Sequence, residues 1–220
     1  MPPAPRLAVP LLAVATALLV ALAGPLILFN PWFVSLEQQR AGAAILLGAT
    51  QSQVDAATLA ILGDIWTGGD FGVSLTEGGA PALDAFERSH MADVGVLVRA
   101  LGLVALAAVV VGLLAGRALR GRPRAIGEAL VAGAATVGAA GVAAGLVFAV
   151  AFDAAFLAFH QLFFREGTYL FGPDSDLIRF FPEQLWYEAS LGAGALIVLS
   201  AVAVAFAGWR LLRGRGDAAV

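Results

Sequence analysis

Long apolar stretches alternate with polar connections along this chain, and they predict membrane-spanning helices. A helix needs about 20 consecutive apolar residues to cross a hydrocarbon core about 30 Å thick, and four stretches reach this length. The predicted fold is therefore an all-α membrane protein with four transmembrane helices, in which residues 1–220 form a single membrane domain. The four stretches are residues 7–29, 94–115, 126–152 and 189–212.

The connection between the first two stretches, residues 30–89, is long enough to fold. Ser52 and Asp55 form a variant of the helix-capping pattern and predict a helix at about 53–66. Glycine pairs then break the chain on both sides of residues 71–75, whose structure the pattern leaves open. We therefore predict a small, mainly helical extracytoplasmic insertion in this segment.

The third apolar stretch extends beyond the length that one span requires. We predict a membrane helix that ends near Phe152 and an interfacial continuation that holds Asp153 and His160. Aromatic residues crowd this continuation, as is typical of a membrane boundary. The second polar connection, residues 165–188, contains a predicted short surface helix at 177–181.

Arginine residues concentrate in three short segments, and their distribution predicts the orientation of the chain. Short arginine-rich loops stay in the cytoplasm, so both termini are expected there and the two long polar connections outside. The first apolar run exceeds the roughly 7–15 apolar residues of a signal peptide, so we expect it to remain as a span. The arginine-rich segments are the N-terminal tip with Arg6, the connection with Arg117, Arg120, Arg122 and Arg124, and the tail with Arg210, Arg213 and Arg215.

The composition supports a membrane protein and removes several kinds of chemistry. Of the 220 residues, 60% are hydrophobic and 13% are charged, against about 25% charged in a typical soluble domain. The chain has no cysteine, which excludes disulfides, thiolate metal ligands and thiol nucleophiles. No Gly-x-Ser-x-Gly motif supplies a serine nucleophile. We predict no metal site and no nucleic-acid partner.

His90 and His160 are the only two histidines, and both are predicted near the outer ends of membrane helices. A helix that starts near Pro81 is expected to carry His90 into the second span, and His160 lies at the end of the third-span continuation. Histidine is rare in spans, and its pKa near neutrality suits it to proton transfer. Each histidine alone also fits a simple interfacial role, in which it bonds a carbonyl or a lipid headgroup. Together at one depth they predict a functional site.

Four charged residues near the histidines are candidates for supporting roles. Asp93, three residues after His90 on the same helix face, is positioned to orient the imidazole or to complement the helix N-terminus. Glu87, also three residues from His90, is expected to be more exposed. Asp153 needs a partner so close to hydrocarbon, and we expect a structural ion pair with His90 or Arg99. Arg99 itself fits a lipid phosphate or a side chain that extends to the interface.

Three motifs follow one another between residues 86 and 188. They are Glu87-Arg88-Ser89-His90-Met91-Ala92-Asp93-Val94, then Phe159-His160-Gln161-Leu162-Phe163-Phe164, then Pro173-Asp174-Ser175-Asp176-Leu177-Ile178 with Phe181-Pro182-Glu183. In order and spacing they resemble the Lit family, the bacterial lipoprotein intramolecular transacylases. Two positions depart from the family pattern: Gly95 stands where a basic residue is common, and Tyr169 where a tryptophan is common.

The resemblance implies an activity, a substrate and a location. It implies that a diacylated lipoprotein in the bacterial cell membrane is the substrate, whose sn-2 acyl chain moves from its glycerol ester to the α-amino group of the N-terminal cysteine. By the same resemblance His90 and His160 match the family's two essential histidines, Tyr169 has a supporting position, and no cofactor is needed. Two other interpretations also fit the histidines. They are a haem-binding membrane electron carrier and a non-enzymatic accessory protein.

Overall fold

The computed structural model describes residues 6–214 and builds them from α-helices joined by turns and extended segments. No strand occurs among these residues, so the all-α prediction is confirmed. Arg215, which belongs to the predicted basic tail, lies outside the described residues. The helices are α1 (Ala8–Leu28), α2 (Pro31–Arg40), α3 (Ala43–Leu46), α4 (Gln51–Thr67), α5 (Ala85–Ala118), α6 (Pro123–Val150), α7 (Phe152–Phe163), α8 (Asp176–Phe180) and α9 (Glu183–Arg213).

Among the described helices, α1, α5, α6 and α9 are long and apolar enough to cross a membrane. The four predicted spans are therefore confirmed as helices, but three of them begin before their apolar stretches, at Ala85, at Pro123 and at Glu183. The start of α5 also lies after Pro81 rather than near it. The reason is that the Asp84 carboxylate accepts two of the first backbone N–H groups of the helix, at 2.7 and 2.8 Å, and so caps it.

The chain divides into two compact units, and each unit has apolar clusters of its own. We call them the bundle unit and the loop unit. The bundle unit comprises residues up to 25, residues 102–146 and residues from 192 onward, and the loop unit comprises residues 26–101 and 147–191.

Helices of the bundle unit pack closely at glycines. A Cβ atom on Gly133 would lie only 2.3 Å from the carbonyl oxygen of Ala13. One on Gly127 would lie 2.6 Å from the carbonyl oxygen of Gly208. Small residues at helix contacts let backbones approach one another, which is how many helices associate in a membrane. Close contacts between helix backbones therefore contribute to the packing of the bundle unit, in addition to contacts between side chains.

The loop unit has a core like that of a water-soluble domain. Ile61, Phe71 and Phe180 are fully buried within one apolar cluster. The buried Gln38 side chain donates to the Phe180 carbonyl at 2.9 Å and exchanges hydrogen bonds with the Thr58 hydroxyl at 2.9 and 3.1 Å. The predicted helical insertion is thus observed, and burial of large side chains with satisfied polar groups stabilises it.

The capping prediction for α4 was wrong by two residues. The Thr50 hydroxyl accepts the backbone N–H of Gln53, and the Gln53 side chain accepts the backbone N–H of Thr50 at 2.9 Å, which makes a full capping box. Ser52 therefore does not cap the helix, and Asp55 instead accepts hydrogen bonds from side chains at 2.7 Å. Residues 71–75, which the sequence pattern left open, form neither helix nor strand.

The third span ends where it was predicted to end. α6 ends at Val150 and α7 begins at Phe152, because Ala151 leaves helical geometry with φ −143° and ψ 50°. The prediction for α8 was only partly right. The short helix exists and exposes Ile178, but its other face is anchored, since Leu177 and Phe180 on it are buried in the core of the loop unit.

Candidate active site

The two histidines come together within the loop unit, one from α5 and one from α7. Their ring centroids lie 5.9 Å apart, and the ring planes differ by 23°. His90 is buried, with 6% of the residue exposed, whereas His160 is partly exposed. Two imidazoles from separate helices therefore share one site, although their positions in the sequence are 70 residues apart.

Glu87 is buried rather than exposed, which corrects its prediction. Only 4% of the residue is exposed. One carboxylate oxygen accepts the backbone N–H of Asp84 at 2.8 Å, and the other accepts the Ser175 hydroxyl at 2.5 Å and the Leu177 N–H at 3.0 Å. Since Ser175 caps α8, Glu87 ties the start of α8 to the turn of α5 that precedes His90.

The His160 ring is oriented by its own helix. Its Nδ1 atom lies 2.8 Å from the carbonyl oxygen of Phe156, one turn earlier. A carbonyl oxygen only accepts hydrogen bonds, so this contact requires the proton on Nδ1 and leaves Nε2 of the neutral ring as an acceptor. The main chain thus sets the tautomer and prepares a basic nitrogen.

Aromatic rings surround both imidazoles. Phe164 and Phe171 have ring centroids 4.9 and 5.3 Å from the imidazole on α5. Phe156 and Tyr169 lie 4.3 and 5.4 Å from the imidazole on α7. Tyr169, predicted as a supporting residue, is therefore brought to the site. Apolar surroundings of this kind lower the local dielectric and strengthen each electrostatic contact made there.

Asp93 does not orient His90, contrary to one of its predicted roles. No hydrogen bond joins the two side chains, and Nδ1 of His90 is buried without a partner among the described residues. Buried polar atoms without partners are exceptions in folded proteins, and water or a ligand commonly satisfies them. The His90 ring thus retains hydrogen-bonding capacity that the described protein atoms do not use.

A groove of about 500 Å³ opens beside the histidines, between α5 and the corner that follows α7. The polar residues Arg165 and Thr168 of its wall were not among the predicted site residues. No regular spacing in the sequence relates Arg165 and Thr168 to the histidines. The only signal for them was that Arg165 directly follows the motif that ends at Phe164. The groove is lined by Ser89, Asp93, Val96, Leu97, Ala100, Phe163, Phe164, Arg165 and Thr168.

Arg99 and Asp153 make contacts that the sequence did not predict or lack ones that it did. The Arg99 guanidinium donates to the Ile65 carbonyl at 2.5 Å, near the C-terminal end of α4. Carbonyls at a helix C-terminus attract cations and lack partners within the helix. Asp153 is exposed in the first turn of α7 and forms no ion pair among the described residues. Its predicted structural ion pair is therefore wrong.

A second charged cluster joins α2 to the first turns of α9. Arg40 lies 3.1 Å from a carboxylate oxygen of Glu37 and 2.7 Å from one of Glu188. Burial, reinforced by the neighbouring Glu188 carboxyl, raises the pKa of Glu37 above its ordinary value, and Arg40 opposes this effect. The described residues contain no group of three or more His, Cys, Asp or Glu side chains placed to hold a metal ion.

Comparisons with known proteins agree with this architecture. The family model described as lipoprotein intramolecular transacylase Lit matches residues 76–186. The solved structure of the membrane-integral lipoprotein intramolecular transacylase Lit from Bacillus cereus matches with a TM-score of 0.83 at 17% identity, over 96% of each chain. Two variants of that protein, with one histidine replaced by arginine or by alanine, match with TM-scores of 0.74 at 16% identity, over 96% of this chain and 92% and 94% of theirs. No curated protein sequence gave a match.

Proposed function

This chain belongs to the lipoprotein intramolecular transacylase family, Lit, so it is a membrane-integral acyltransferase, and from this premise we propose how the transfer proceeds. The sn-2 acyl chain of a diacylated lipoprotein moves from its glycerol ester to the α-amino group of the N-terminal cysteine. The observation that carries the proposal is the pairing of His90 with His160 at 5.9 Å within an aromatic enclosure. The family assignment replaces the haem-carrier and accessory-protein interpretations.

Transfer from an ester to an amine has defined requirements. The ammonium loses a proton, and its nitrogen attacks the ester carbonyl carbon. A C–N bond forms, the bond between that carbon and the sn-2 oxygen breaks, and the oxygen leaves as a hydroxyl group. An ammonium and an ester thus become an amide and an alcohol, with the release of one proton. Since amine and ester belong to one molecule, holding them together contributes on the order of 7–11 kcal/mol, and no protein nucleophile is needed.

His160 acts as the general base in this scheme. Its Nδ1 proton is engaged with the Phe156 carbonyl, so Nε2 is the nitrogen that accepts a proton from the attacking amine. The resulting imidazolium then protonates the departing sn-2 oxygen, because one imidazole can serve as base and then as acid when both reacting atoms lie in reach. The hydrogen bond to the main chain keeps the ring in place through both steps.

His90 supplies a hydrogen bond to the ester carbonyl oxygen. That oxygen gains negative charge in the tetrahedral intermediate, and a preorganised donor stabilises it most strongly where water is excluded. The ring is buried between Phe164 and Phe171, and Glu87 holds the preceding turn of α5 in place. These contacts support a fixed donor rather than a mobile one.

The site faces the outside of the bacterial cell membrane in this proposal, and both termini lie in the cytoplasm. The arginine-rich connection between α5 and α6 and the arginines at the end of α9 support this orientation, because short arginine-rich segments stay in the cytoplasm. The lipoprotein substrate is anchored in the same membrane, so substrate and surrounding lipid reach the site from the bilayer.

The test is expression in a bacterial host that makes only diacylated lipoproteins, with mass spectrometry of a lipoprotein N-terminal peptide. The unsubstituted chain is expected to convert the diacyl peptide to the N-acyl, S-monoacylglyceryl form. His160→Ala is expected to reduce the yield about 100- to 10,000-fold, the usual contribution of acid–base catalysis, and His90→Ala about 100- to 1,000-fold, as for the loss of one oxyanion donor. Gln161→Ala, an exposed neighbour on α7, is the matched control and should keep full activity.

Detection of each variant in the membrane fraction, with an unchanged thermal midpoint, separates lost chemistry from lost folding. Full activity of His160→Ala would remove the base and with it the mechanism. An unchanged diacyl peptide in cells that contain the unsubstituted chain would overturn the proposed activity itself.

A further inference from the structure

The groove beside the histidines runs along one face of α5. Ser89, Asp93, Val96 and Ala100 all line it, and they recur at intervals of four, three and four residues, which places them on one stripe of a helix. At 1.5 Å per residue this stripe is about 16 Å long. The groove is therefore an elongated channel on the helix surface rather than a round cavity.

The chemical character of the groove changes along its length. Ser89 and Asp93 form its first part on α5, and Val96, Leu97 and Ala100 form the part that follows. The opposite wall is formed by the end of α7 and the segment that follows it. It contains the polar residues Arg165 and Thr168 and the aromatic residues Phe163 and Phe164. A groove that is charged at one end and hydrocarbon-lined at the other matches an amphiphile, whose charged group and acyl chain are buried together.

Asp93 is the only acidic side chain that lines the groove, and it acts on His90 through its charge alone. It is exposed and forms no hydrogen bond or ion pair with any described residue, in contrast to Glu87, which accepts three hydrogen bonds. Arg165 lines the same groove but makes no ion pair with it. A lipid that covers Asp93 removes it from water, and this is costly unless the lipid brings a positive charge.

We infer that this groove is the substrate-binding subsite, in which Asp93 binds the α-ammonium group of the lipoprotein's N-terminal cysteine and the apolar stripe down to Ala100 holds the sn-2 acyl chain. The inference rests on the proposed function, because that substrate carries a cation and an ester-linked chain on the same molecule. Asp93 lies one helical turn from His90, so an ammonium bound there stays close to the imidazole pair. Asp93 is then a binding residue that delivers the nucleophile, and it does not orient the ring of His90.

The inference is tested by binding, independently of turnover. The probe is a diacylglyceryl-cysteine lipopeptide whose sn-2 chain is attached by an ether, so that it cannot react. It is prepared with a free α-amine and, separately, with that amine acetylated. At pH 6.5 the free amine is protonated, and the unsubstituted protein is expected to bind it about tenfold or more tightly than the acetylated form, as for one charge-assisted hydrogen bond.

Asp93→Asn is expected to abolish this preference, and Asp93→Glu is expected to retain part of it. Asp153→Asn is the matched control, since Asp153 is also exposed and without an ion pair but lies outside the groove. It should leave the preference unchanged. A preference that survives Asp93→Asn, or an unsubstituted protein that binds both probes equally, would overturn the inference.

The acyl-chain part of the inference has its own variant. Ala100→Phe fills the inner end of the groove and is expected to weaken binding of a probe with a hexadecyl sn-2 ether about tenfold or more, because several methylene groups lose their burial. A probe with a butyl ether should bind as before. Ala92→Phe, on an exposed part of α5 outside the groove, is the control. Equal losses for both chain lengths would contradict the assignment.

Failure of this inference can be told apart from failure of the proposed function. A chain that forms the N-acyl product in cells, yet shows no dependence of probe binding on Asp93, retains the function and loses the subsite. A chain that forms no N-acyl product loses the function, whatever the probes show.

Discussion

The bundle unit and the loop unit of this protein are built from opposite kinds of contact. In the bundle unit, Gly133 and Gly127 bring helix backbones so close that a single added carbon would collide with a carbonyl oxygen. In the loop unit, large buried side chains and satisfied polar groups such as Gln38 form the core. All the residues that surround the two histidines belong to the loop unit. The geometry around the histidines thus depends on the specific side-chain contacts of the loop unit. In the bundle unit, substitutions are limited mainly by the volume of the new side chain.

The largest expected effect comes from adding volume to the bundle unit. Gly133→Ala places a methyl group 2.3 Å from the carbonyl oxygen of Ala13, so a helix backbone has to move. We expect a loss of about 3 kcal/mol of unfolding free energy, at the upper end of overpacking effects. Thermal unfolding of the purified protein in detergent measures it.

Gly145→Ala on the same helix is the matched control for this comparison. A Cβ atom at Gly145 meets no atom within 4 Å, and alanine has the better helix propensity, so this variant should be as stable as the unsubstituted chain or slightly more so. Equal destabilisation by both substitutions would mean that backbone proximity is not what limits the bundle unit.

The loop unit should respond instead to the loss of a charge. Glu87→Gln keeps the shape of the side chain, but its amide group cannot accept hydrogen bonds from Asp84 and from Ser175 with both terminal atoms. We expect about 2 kcal/mol of destabilisation, as for hydrogen bonds to a buried charged group, and a partial loss of transacylation because the turn before His90 loosens.

Two variants sharpen this prediction. Ser175→Ala removes one of the donors to Glu87 and should have a smaller effect in the same direction. Glu77→Gln changes the same charge at an exposed position of the loop unit and should alter neither stability nor activity. If Glu77→Gln and Glu87→Gln behave alike, net charge rather than the buried contact is responsible.

The smallest expected effect concerns pH. Burial and Glu188 raise the pKa of Glu37 above its ordinary value of 4.5, so the folded protein holds this proton at pH values where the unfolded chain has lost it. Stability from this group is complete below pH 4.5 and is lost as the pH rises through the raised pKa. Glu37→Gln should flatten the decline of the thermal midpoint above pH 4.5. An unchanged slope would show that Arg40 and Glu188 dominate the titration.

The membrane architecture was predictable from local sequence because a span requires only length and apolarity. The four apolar stretches became α1, α5, α6 and α9, and the break at Ala151 falls where the third stretch exceeds one span. Helix starts were less predictable. The Thr50 and Gln53 capping box competes with the Ser52 and Asp55 pattern two residues later, and the sequence contains both.

The proximity of the two histidines was predictable, but the contacts of the residues around them were not. Glu87 is buried by Ser175 and Leu177, which follow it by 88 and 90 residues, and Arg99 binds a carbonyl 34 residues away. No local pattern contains such contacts. The spacing of Asp93 from His90 gave the correct helix face but not the direction of the side chain, which lines the groove.

The hydrogen bond from His160 to the Phe156 carbonyl has a consequence for genetic study of this protein. In many enzymes a carboxylate side chain orients the catalytic histidine, and a mutation can delete it. Here the orienting atom is part of the peptide backbone and survives every substitution at position 156 that keeps the helix. Saturation mutagenesis, selected for loss of the N-acyl, S-monoacylglyceryl product, should therefore yield inactive variants at His160 itself. It should yield none at a second position whose side chain orients the His160 ring, because no side chain among the described residues has that role.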